Sequence, residues 1–287
     1  MRYAKPTTTA QAVSLLNEEQ GISRILSGGT DVLVQIKAGM LEPDLIVDIK
    51  HLEGIKDITL EDGGYRIGAA VSGAQLGEHE GVAALWPGVV EGFELIGSTQ
   101  VQGRATMAGN LCNGSPAADS VPGLITADAI ARIEGPDGTR DCAIIDIPVS
   151  PGKISLAKGE FITSIYLPKR PERASDAYLR FIPRTEMDIA VVAAAVSLEL
   201  DVDGVCIKAR VSLGAVAPTV LLVETAADCI VGTKLDDAAL EALSVACSAV
   251  CNPIDDKRGT IEFRTHTAGV LAKRAALIAY GRAGGQK

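Results

Sequence analysis

The segment "ILSGGTDVLVQIKAG", residues 25–39, places two adjacent glycines between an apolar strand pattern and an apolar helix pattern. Gly28 and Gly29 therefore indicate a turn from strand to helix, and Gly39 ends the predicted helix. A helix pattern precedes this segment in "TTTAQAVSLLNEE", and a second buried strand follows in "PDLIVDI". The order helix, strand, turn, helix, strand predicts a compact α/β unit with a small, largely parallel sheet.

From about Asp57 the pattern changes to shorter elements. The stretch "DITLEDGGYRIGAAVS" predicts a hairpin around a Gly-Gly turn. The apolar spacing of "VAALWPGVVEGFELIGS" predicts a helix that continues through Pro87. A loop-rich stretch follows, and after it we predict a short helix over Ala117–Ala127 and a second hairpin at Pro136–Gly138.

The charged connector "LPKRPERASD" is typical of a domain boundary. Beyond it lie long alternating strands, "AYLRFIPR", "IAVVAAAVSLELD" and "VCIKARVSLGAVAP". Helices are then predicted over Asp237–Val250 and Gly259–Tyr280, and strands followed by helices indicate an α+β domain. We therefore expect three units, which comprise residues 1–56, 57–170 and 171–287.

Charge and hydropathy restrict the partners of this chain. Its net charge of −9 argues against nucleic acid or an anionic membrane as the main partner, because both require clustered lysine and arginine. No apolar run approaches the ~20 residues that span a bilayer, and the N-terminus has no apolar signal core. We therefore expect no membrane span and a cytoplasmic location.

Cysteine and histidine offer little chemistry of their own. Cys247 and Cys251 are four residues apart on a predicted helix, where buried structural thiols are favoured over a metal site. The cysteine spacing also does not suit an iron–sulfur cluster. The three histidines are isolated from any nucleophile or paired carboxylate, which disfavours acid–base and zinc hydrolysis: His51, His79 and His266. A cofactor that brings its own reactivity is therefore favoured, and no catalytic or metal-binding residue is expected.

The first glycine pair could hold an anion without a basic side chain. Glycine permits close approach of the backbone, and the free N–H groups at a helix start bind phosphate. Asp31 is itself an anion in that first turn, so its carboxylate would have to cap the backbone or contact a sugar. An ordinary strand-to-helix turn is an equally good reading of this pattern.

The second glycine-rich stretch is "TMAGNLCNGSPAADS", residues 106–120. Five of its small residues could expose successive N–H groups as an anion-binding nest: Gly109, Asn110, Asn113, Gly114 and Ser115. It matches neither the P-loop nor the Rossmann pattern, and a purely structural loop is the alternative. Two separate, neutral, glycine-rich loops would nevertheless suit a ligand with two phosphates, such as a dinucleotide.

Six stretches in register resemble a known family over nearly the whole chain. They are "SGGTDVLVQIKAG", "ATMAGNLCNGSPAADS", "PGKISLAKGEFITSIYLP", "AYLRFIPRTEMDIAVVAAAVSL", "LGAVAPT" and "RGTIEFRTHTAGVLAKRA". In this order they resemble the FAD-binding medium subunit of molybdenum hydroxylases, the superfamily of xanthine dehydrogenase and carbon monoxide dehydrogenase. The resemblance implies an α+β fold: a two-part FAD-binding domain of the molybdopterin dehydrogenase type, and a C-terminal α+β domain with an antiparallel sheet and helices.

The resemblance also implies an oxidoreductase subunit that works within a complex. A small subunit with two [2Fe–2S] clusters and a large molybdopterin subunit would be its partners, in a dimer of heterotrimers. FAD would take electrons from the iron–sulfur centres and pass them to NAD⁺, a quinone or another acceptor. A stand-alone FAD-dependent oxidoreductase with its own small substrate is one alternative, and a non-catalytic assembly or regulatory protein is another.

The resemblance carries the family's cofactor contacts onto positions of this chain. Both glycine loops would wrap the pyrophosphate. Asp119 matches an acidic flavin contact, and Ile162 matches an apolar position beside the cofactor. Arg180 matches a position that is often lysine, near the isoalloxazine ring or the phosphates. The expected FAD-binding residues are Ser27, Gly28, Gly29, Thr30, Asp31, Thr106, Met107, Ala108, Gly109, Asn110, Asp119, Ile162 and Arg180. Ala108 stands where the family usually has glycine. Arg180 keeps the positive charge of lysine but spreads its hydrogen-bond donors over a wider guanidinium group. The cysteines offer no additional [4Fe–4S] insertion.

Overall fold

The first unit of the fold is a three-stranded parallel sheet in the order β1-β3-β2. The central strand β3 is buried along its length because it has a neighbour on each side. The predicted parallel sheet is confirmed, although the short first strand gave no recognisable pattern. The elements are β1 Arg2–Ala4, α1 Thr9–Glu18, β2 Ser23–Leu26, α2 Val32–Lys37 and β3 Leu45–Asp48.

The second unit is built on a five-stranded antiparallel sheet in the order β4-β5-β10-β6-β7. Strand β10 is the last strand of this unit along the chain, and it lies between the two predicted hairpins. Both hairpins are confirmed. Strands β8 and β9 form a separate small ribbon. The strands are β4 Ile58–Glu61, β5 Gly64–Gly68, β6 Ile130–Gly135, β7 Gly138–Ala143, β8 Pro148–Ser150, β9 Lys153–Ile154 and β10 Phe161–Leu167.

Six short helices connect the two hairpins of this unit. They are α3 Gly73–Gly77, α4 Glu80–Leu85, α5 Pro87–Glu94, α6 Thr99–Gln102, α7 Met107–Cys112 and α8 Ser120–Thr126. The predicted continuous helix through Pro87 is wrong, since one helix ends at Leu85 and Pro87 opens the next. Proline lacks the N–H of a helix interior but fits the first position of a new helix. The helix predicted from Ala117 begins only at Ser120, after a turn around Ser115.

The third unit is a four-stranded antiparallel sheet in the order β11-β12-β13-β14, covered by the last helices. Its elements are β11 Ala174–Phe181, β12 Val192–Leu200, β13 Cys206–Gly214, β14 Leu221–Leu222, α9 Glu224–Asp228, α10 Asp237–Ala249 and α11 Ile261–Arg282. The three long strands and two long helices are confirmed, and the expected fold class is confirmed with them. Cys251 lies beyond the end of α10, so it does not share a helix with Cys247 as the sequence spacing had suggested.

Strand β12 is buried on both faces, which a strictly alternating pattern would not predict. Val192, Ala194 and Val196 face α11 and its neighbours, whereas Ala193 and Ala195 pack around Tyr178. The sheet is thus enclosed by the last helices on one side and by α5 and α8 of the second unit on the other. Small alanine side chains allow this close approach.

A buried polar network joins the second and third units. The Arg170 guanidinium donates to the Asp176 carboxylate at 2.8 Å and stacks on the Trp86 ring, 4.4 Å from its centroid. Asp176 also accepts a hydrogen bond from the Val89 N–H at 3.1 Å. Burial raises the pKa of Asp176 and Arg170 opposes that rise. Because removal of one partner would leave an uncompensated buried charge, the network favours a single packing of the two units.

The computed structural model describes residues 1–285, so the last two residues of the expected 171–287 unit lie outside the described residues. Within that described chain, no helix combines the length and the apolar content that a membrane span needs.

Candidate functional site

A cleft of about 530 Å³ lies where the first parallel sheet meets the five-stranded sheet. Its volume is within the ~300–1,000 Å³ that small-molecule and cofactor sites usually have. The turn after β2, helix α7 and the segment before β10 form its walls. Ten of the predicted cofactor residues line it: Ser27, Gly28, Gly29, Thr30, Asp31, Thr106, Ala108, Gly109, Asn110 and Ile162.

The turn after β2 packs directly on the segment that leads into α7. A Cβ added at Gly28 would lie 2.1 Å from the Arg104 carbonyl oxygen, so only glycine allows this contact. Gly29 has a φ of +80°, in the left-handed region that glycine adopts without strain. The Ser27 hydroxyl donates to the Ala69 carbonyl at 3.0 Å and ties the turn to the five-stranded unit. The two glycine segments are therefore one continuous wall.

Helix α7 replaces the open nest predicted for the second glycine stretch. Thr106 caps this helix, and its hydroxyl accepts a hydrogen bond from the Gly109 N–H at 3.1 Å. The Asn110 N–H bonds to the Thr106 carbonyl, so neither N–H is free as the nest would require. Within residues 1–285, the first N–H groups of the helix, at Met107 and Ala108, have no hydrogen-bond acceptor.

Gly109 tests whether a cofactor fits this wall. A Cβ added there would meet only the Thr106 hydroxyl, at 2.9 Å, and would otherwise project into open space. Gly109 itself lines the cleft, so a side chain added there would stand at the cleft wall. A side chain at this position would occupy the room that a ligand needs against the backbone. The residues present therefore fit a cofactor held close to α7.

Three polar side chains form a hydrogen-bonded series across one part of the cleft. The Gln35 amide donates to Asn113 Oδ1 at 3.3 Å, and Asn113 Nδ2 donates to Asp31 Oδ1 at 3.4 Å. The Asp31 side chain makes no capping bond to α2 within residues 1–285, so the backbone cap, one of the two alternatives for its carboxylate, is not formed. Partial removal of water by the cleft walls raises the pKa of Asp31. All three side chains line the cleft.

Asp119 and Arg180 form a buried ion pair behind the cleft wall. Arg180 Nη1 and the Tyr178 hydroxyl each donate to one oxygen of the Asp119 carboxylate, both at 2.6 Å. Burial raises the pKa of Asp119 to about 6, while Arg180 and Tyr178 lower it. Within residues 1–285, the buried Nε of Arg180 has no hydrogen-bond partner. Asn110 connects this cluster to the cleft, since its Oδ1 accepts from the Ser120 hydroxyl at 2.7 Å.

Three predicted residues thus lie outside the wall of the cleft. Asp119 and Arg180 are in the buried cluster, and Met107 is 4% exposed in the core beneath α7. Sequence reasoning did not select the cationic side chains of Arg24 and Lys158, which line the cleft on β2 and on the segment before β10. Lys158 stands in one of the six resembling stretches, and this was the only available signal.

The chain matches two family models in sequence order. Residues 1–170 match the FAD binding domain in molybdopterin dehydrogenase, and residues 177–279 match the CO dehydrogenase flavoprotein C-terminal domain. The part of the chain that the structure describes contains no group of three or more histidine, cysteine or acidic residues that could hold a metal ion.

Curated relatives and solved structures agree with both models. The putative xanthine dehydrogenase FAD-binding subunit of Escherichia coli strain K12 is 32% identical over 99% of this chain and 97% of its own length. The carbon monoxide dehydrogenase medium chain of Afipia carboxidovorans is 32% identical over 98% and 97%. A crystal structure of Cu,Mo-CO dehydrogenase in a cyanide-inactivated form superposes with a TM-score of 0.94 at 32% identity, covering 98% of both chains. The chain therefore belongs to the FAD-binding medium subunits of the molybdenum hydroxylase family.

Proposed function

We propose that this chain is the FAD-binding electron-transfer subunit of a molybdenum-containing dehydrogenase. It would take electrons from the [2Fe–2S] centres of a partner subunit and pass them through FAD to an external acceptor. The observation that carries this proposal is the cleft in which both glycine segments meet. Gly109 lines this cleft and has only the Thr106 hydroxyl within 4 Å of an added Cβ. The FAD-binding family model over residues 1–170 contains the whole lining of that cleft.

The residues of this chain would hold the cofactor rather than react. The isoalloxazine ring of FAD supplies the electron chemistry when it is bound. Gly28 and Gly29 would bring backbone close to the ligand, and the Ala108 N–H at the start of α7 would offer a donor for a phosphate oxygen. We propose the thirteen residues carried over from the family as the FAD-binding set, with Asp119 and Arg180 acting from behind the wall.

The proposed partners are a small iron–sulfur subunit and a large molybdopterin subunit, assembled as a dimer of heterotrimers. Relatives support a multisubunit setting, because two of them are called a medium subunit and a subunit of a dehydrogenase complex. The proposed acceptor is NAD⁺ or a quinone. We place the complex in the cytoplasm, which the six free thiols among residues 1–285 favour.

We expect substitution Gly109→Val to abolish FAD retention, because a branched side chain would fill the space beside α7. The matched control is Gly281→Val, a helical glycine whose Cβ would meet nothing within 4 Å. FAD content, read from the visible absorbance of the bound flavin, should fall more than tenfold in the first variant and stay unchanged in the second. Normal FAD content in Gly109→Val would contradict the site.

The electron-transfer role needs a separate experiment. The purified chain with FAD should oxidise no small substrate by itself, and turnover should require co-expression with iron–sulfur and molybdopterin subunits. Turnover by the isolated flavoprotein would favour the alternative of a stand-alone oxidoreductase. Lack of flavin in the assembled complex would reject both readings.

A further inference from the structure

The side-chain amide of Asn110 is held in one orientation by Ser120. Asn110 Oδ1 accepts a hydrogen bond from the Ser120 backbone N–H at 3.3 Å and another from the Ser120 hydroxyl at 2.7 Å. A hydroxyl can donate or accept, but a backbone N–H only donates. The atom of Asn110 that faces Ser120 is therefore its oxygen, and the amide nitrogen lies on the other side of the planar group.

Helix α8 needs this oxygen where it begins. The first N–H groups of a helix have no partner within the helix, and in the described chain the Asp119 side chain does not cap them. The Asp119 carboxylate accepts from Tyr178 and Arg180 of β11 instead. Asn110 therefore supplies the acceptor for the Ser120 N–H, at a position where Ser120 is fully buried.

The amide nitrogen of Asn110 is left as a donor toward the cleft. Within residues 1–285, the hydrogen bonds of this side chain all end on Oδ1. The buried side-chain atoms without a partner in the same residues are Arg180 Nε and Ser212 Oγ. Asn110 Nδ2 is thus neither paired nor enclosed by protein, and Asn110 lines the cleft. The amide presents two N–H donors to an occupant of that space.

We propose that Ser120 is a positioning residue of the cofactor site, which fixes the Asn110 amide so that its NH2 group, and not its oxygen, meets an acceptor atom of FAD. The inference rests on the proposed FAD-binding function. Ser120 is fully buried and acts through Asn110. Without the hydroxyl, the amide would be held by the backbone N–H alone, at a distance near the long end of the normal range, and would rotate more freely.

A double-mutant cycle on FAD affinity tests this role. Ser120→Ala removes the hydroxyl and keeps the backbone N–H. The affinity of the flavin-free full-length chain for FAD, measured by titration calorimetry, should then fall about threefold to tenfold, as for the loss of one neutral hydrogen bond. Asn110→Ala should weaken binding at least as much. The double variant should match Asn110→Ala alone, because Ser120 then has no amide to orient. Unchanged affinity in Ser120→Ala, or losses that multiply in the double variant, would overturn the proposal.

Thr126→Val is the matched control, because it removes another buried hydroxyl from α8. The Thr126 hydroxyl donates to the Gly123 carbonyl at 3.0 Å, a bond within the helix itself. FAD affinity in this variant should equal that of the unmodified chain. A loss as large as in Ser120→Ala would mean that α8 acts on the cleft only through its stability, against the proposal.

The orientation of the amide can also be observed without flavin. The NH2 signals of Asn110 are those missing from the NMR spectrum of Asn110→Ala. In Ser120→Ala they should move toward the positions of exposed asparagine amides, and unchanged signals would contradict the orienting contact. If the unmodified chain bound no FAD, the proposed function would fail, whereas this measurement would still report on Ser120. The two failures are therefore distinguishable.

Discussion

At the residue scale, Asp119 is a buried carboxylate paired with Arg180. Its two oxygens are each held by one short hydrogen bond, from Tyr178 and from Arg180. Burial nevertheless raises its pKa from 3.8 to about 6, so the carboxylate is ionised at pH 7 and becomes protonated in mild acid. Protonation would remove the charge that Arg180 faces in the interior.

This pKa makes a signed prediction for stability. The folded pKa lies above the unfolded value, so the contribution of Asp119 to stability is fully present below about pH 4 and is lost as the pH rises through 6. Acidification from pH 7 to pH 5 should therefore raise the free energy of unfolding through this group, by on the order of 1–2 kcal/mol. Urea unfolding of the chain and of Asp119→Asn over this pH range measures the difference.

Asparagine carries no titratable group at this position, so the pH dependence of the variant's stability should lack the component that Asp119 supplies. Asp137→Asn, on an exposed turn, is the control and should keep that component. Parallel pH profiles for Asp119→Asn and the unmodified chain would show that the raised pKa is wrong.

The sequence could predict those site residues whose identity follows from backbone geometry. Gly28 and Gly29 are such residues, because a close contact and a positive φ both require glycine. Gln35 was not predictable in this way, since its role depends on how α2 packs against the end of α7. Long polar side chains acquire their partners only from that tertiary arrangement.

At the scale of elements, α10 and α11 cross at a glycine. A Cβ added at Gly269 would lie 2.3 Å from the Ser244 hydroxyl oxygen and 2.7 Å from the Ser244 carbonyl oxygen. The Ser248 hydroxyl also donates to the Thr265 carbonyl at 3.0 Å, so the two helices are linked at the same crossing. The glycine therefore sets how closely α11 can pack.

Gly269→Ala should destabilise the fold although alanine is the better helix former. The gain in helix propensity is about 1 kcal/mol, whereas overpacking against the backbone of α10 costs about 1–3 kcal/mol. Thermal unfolding should show a midpoint a few degrees lower. Gly281→Ala in the same helix has open space around its Cβ and should raise the midpoint slightly. Equal midpoints for the two variants would contradict the close crossing.

Elements with a long, clear period were predictable, whereas the short helix α7 was not. The periods of α1, α10 and α11 are visible because each has one face on a core. Helix α7 has only six residues and is fixed by its Thr106 cap, so glycine and asparagine in its sequence suggested a loop. Strand β12 was predicted as a strand, but the burial of both of its faces was not.

At the scale of the whole molecule, the cleft lies at the junction of the first two units. Its walls come from β2 and α2 of the parallel sheet and from α7 and β10 of the five-stranded unit. A ligand bound there contacts both units and stabilises their packing against each other. Stability of the entire chain should therefore depend on FAD.

FAD at 100 times its dissociation constant should add about 2.7 kcal/mol to the free energy of unfolding. Differential scanning calorimetry of the flavin-free chain, with and without added FAD, should show the midpoint rising by several degrees. The Gly109→Val variant is the comparison, because its cleft has no room for the cofactor. It should unfold at one temperature under both conditions, and an equal rise in both proteins would place FAD elsewhere.

The contact between Gly28 and the Arg104 carbonyl has a consequence for inherited change in this protein. An added side chain at position 28 would collide with backbone, which cannot turn aside as the end of a flexible side chain can. A single point mutation at Gly28 would therefore force apart the two glycine segments and disable the cleft without altering any reactive group.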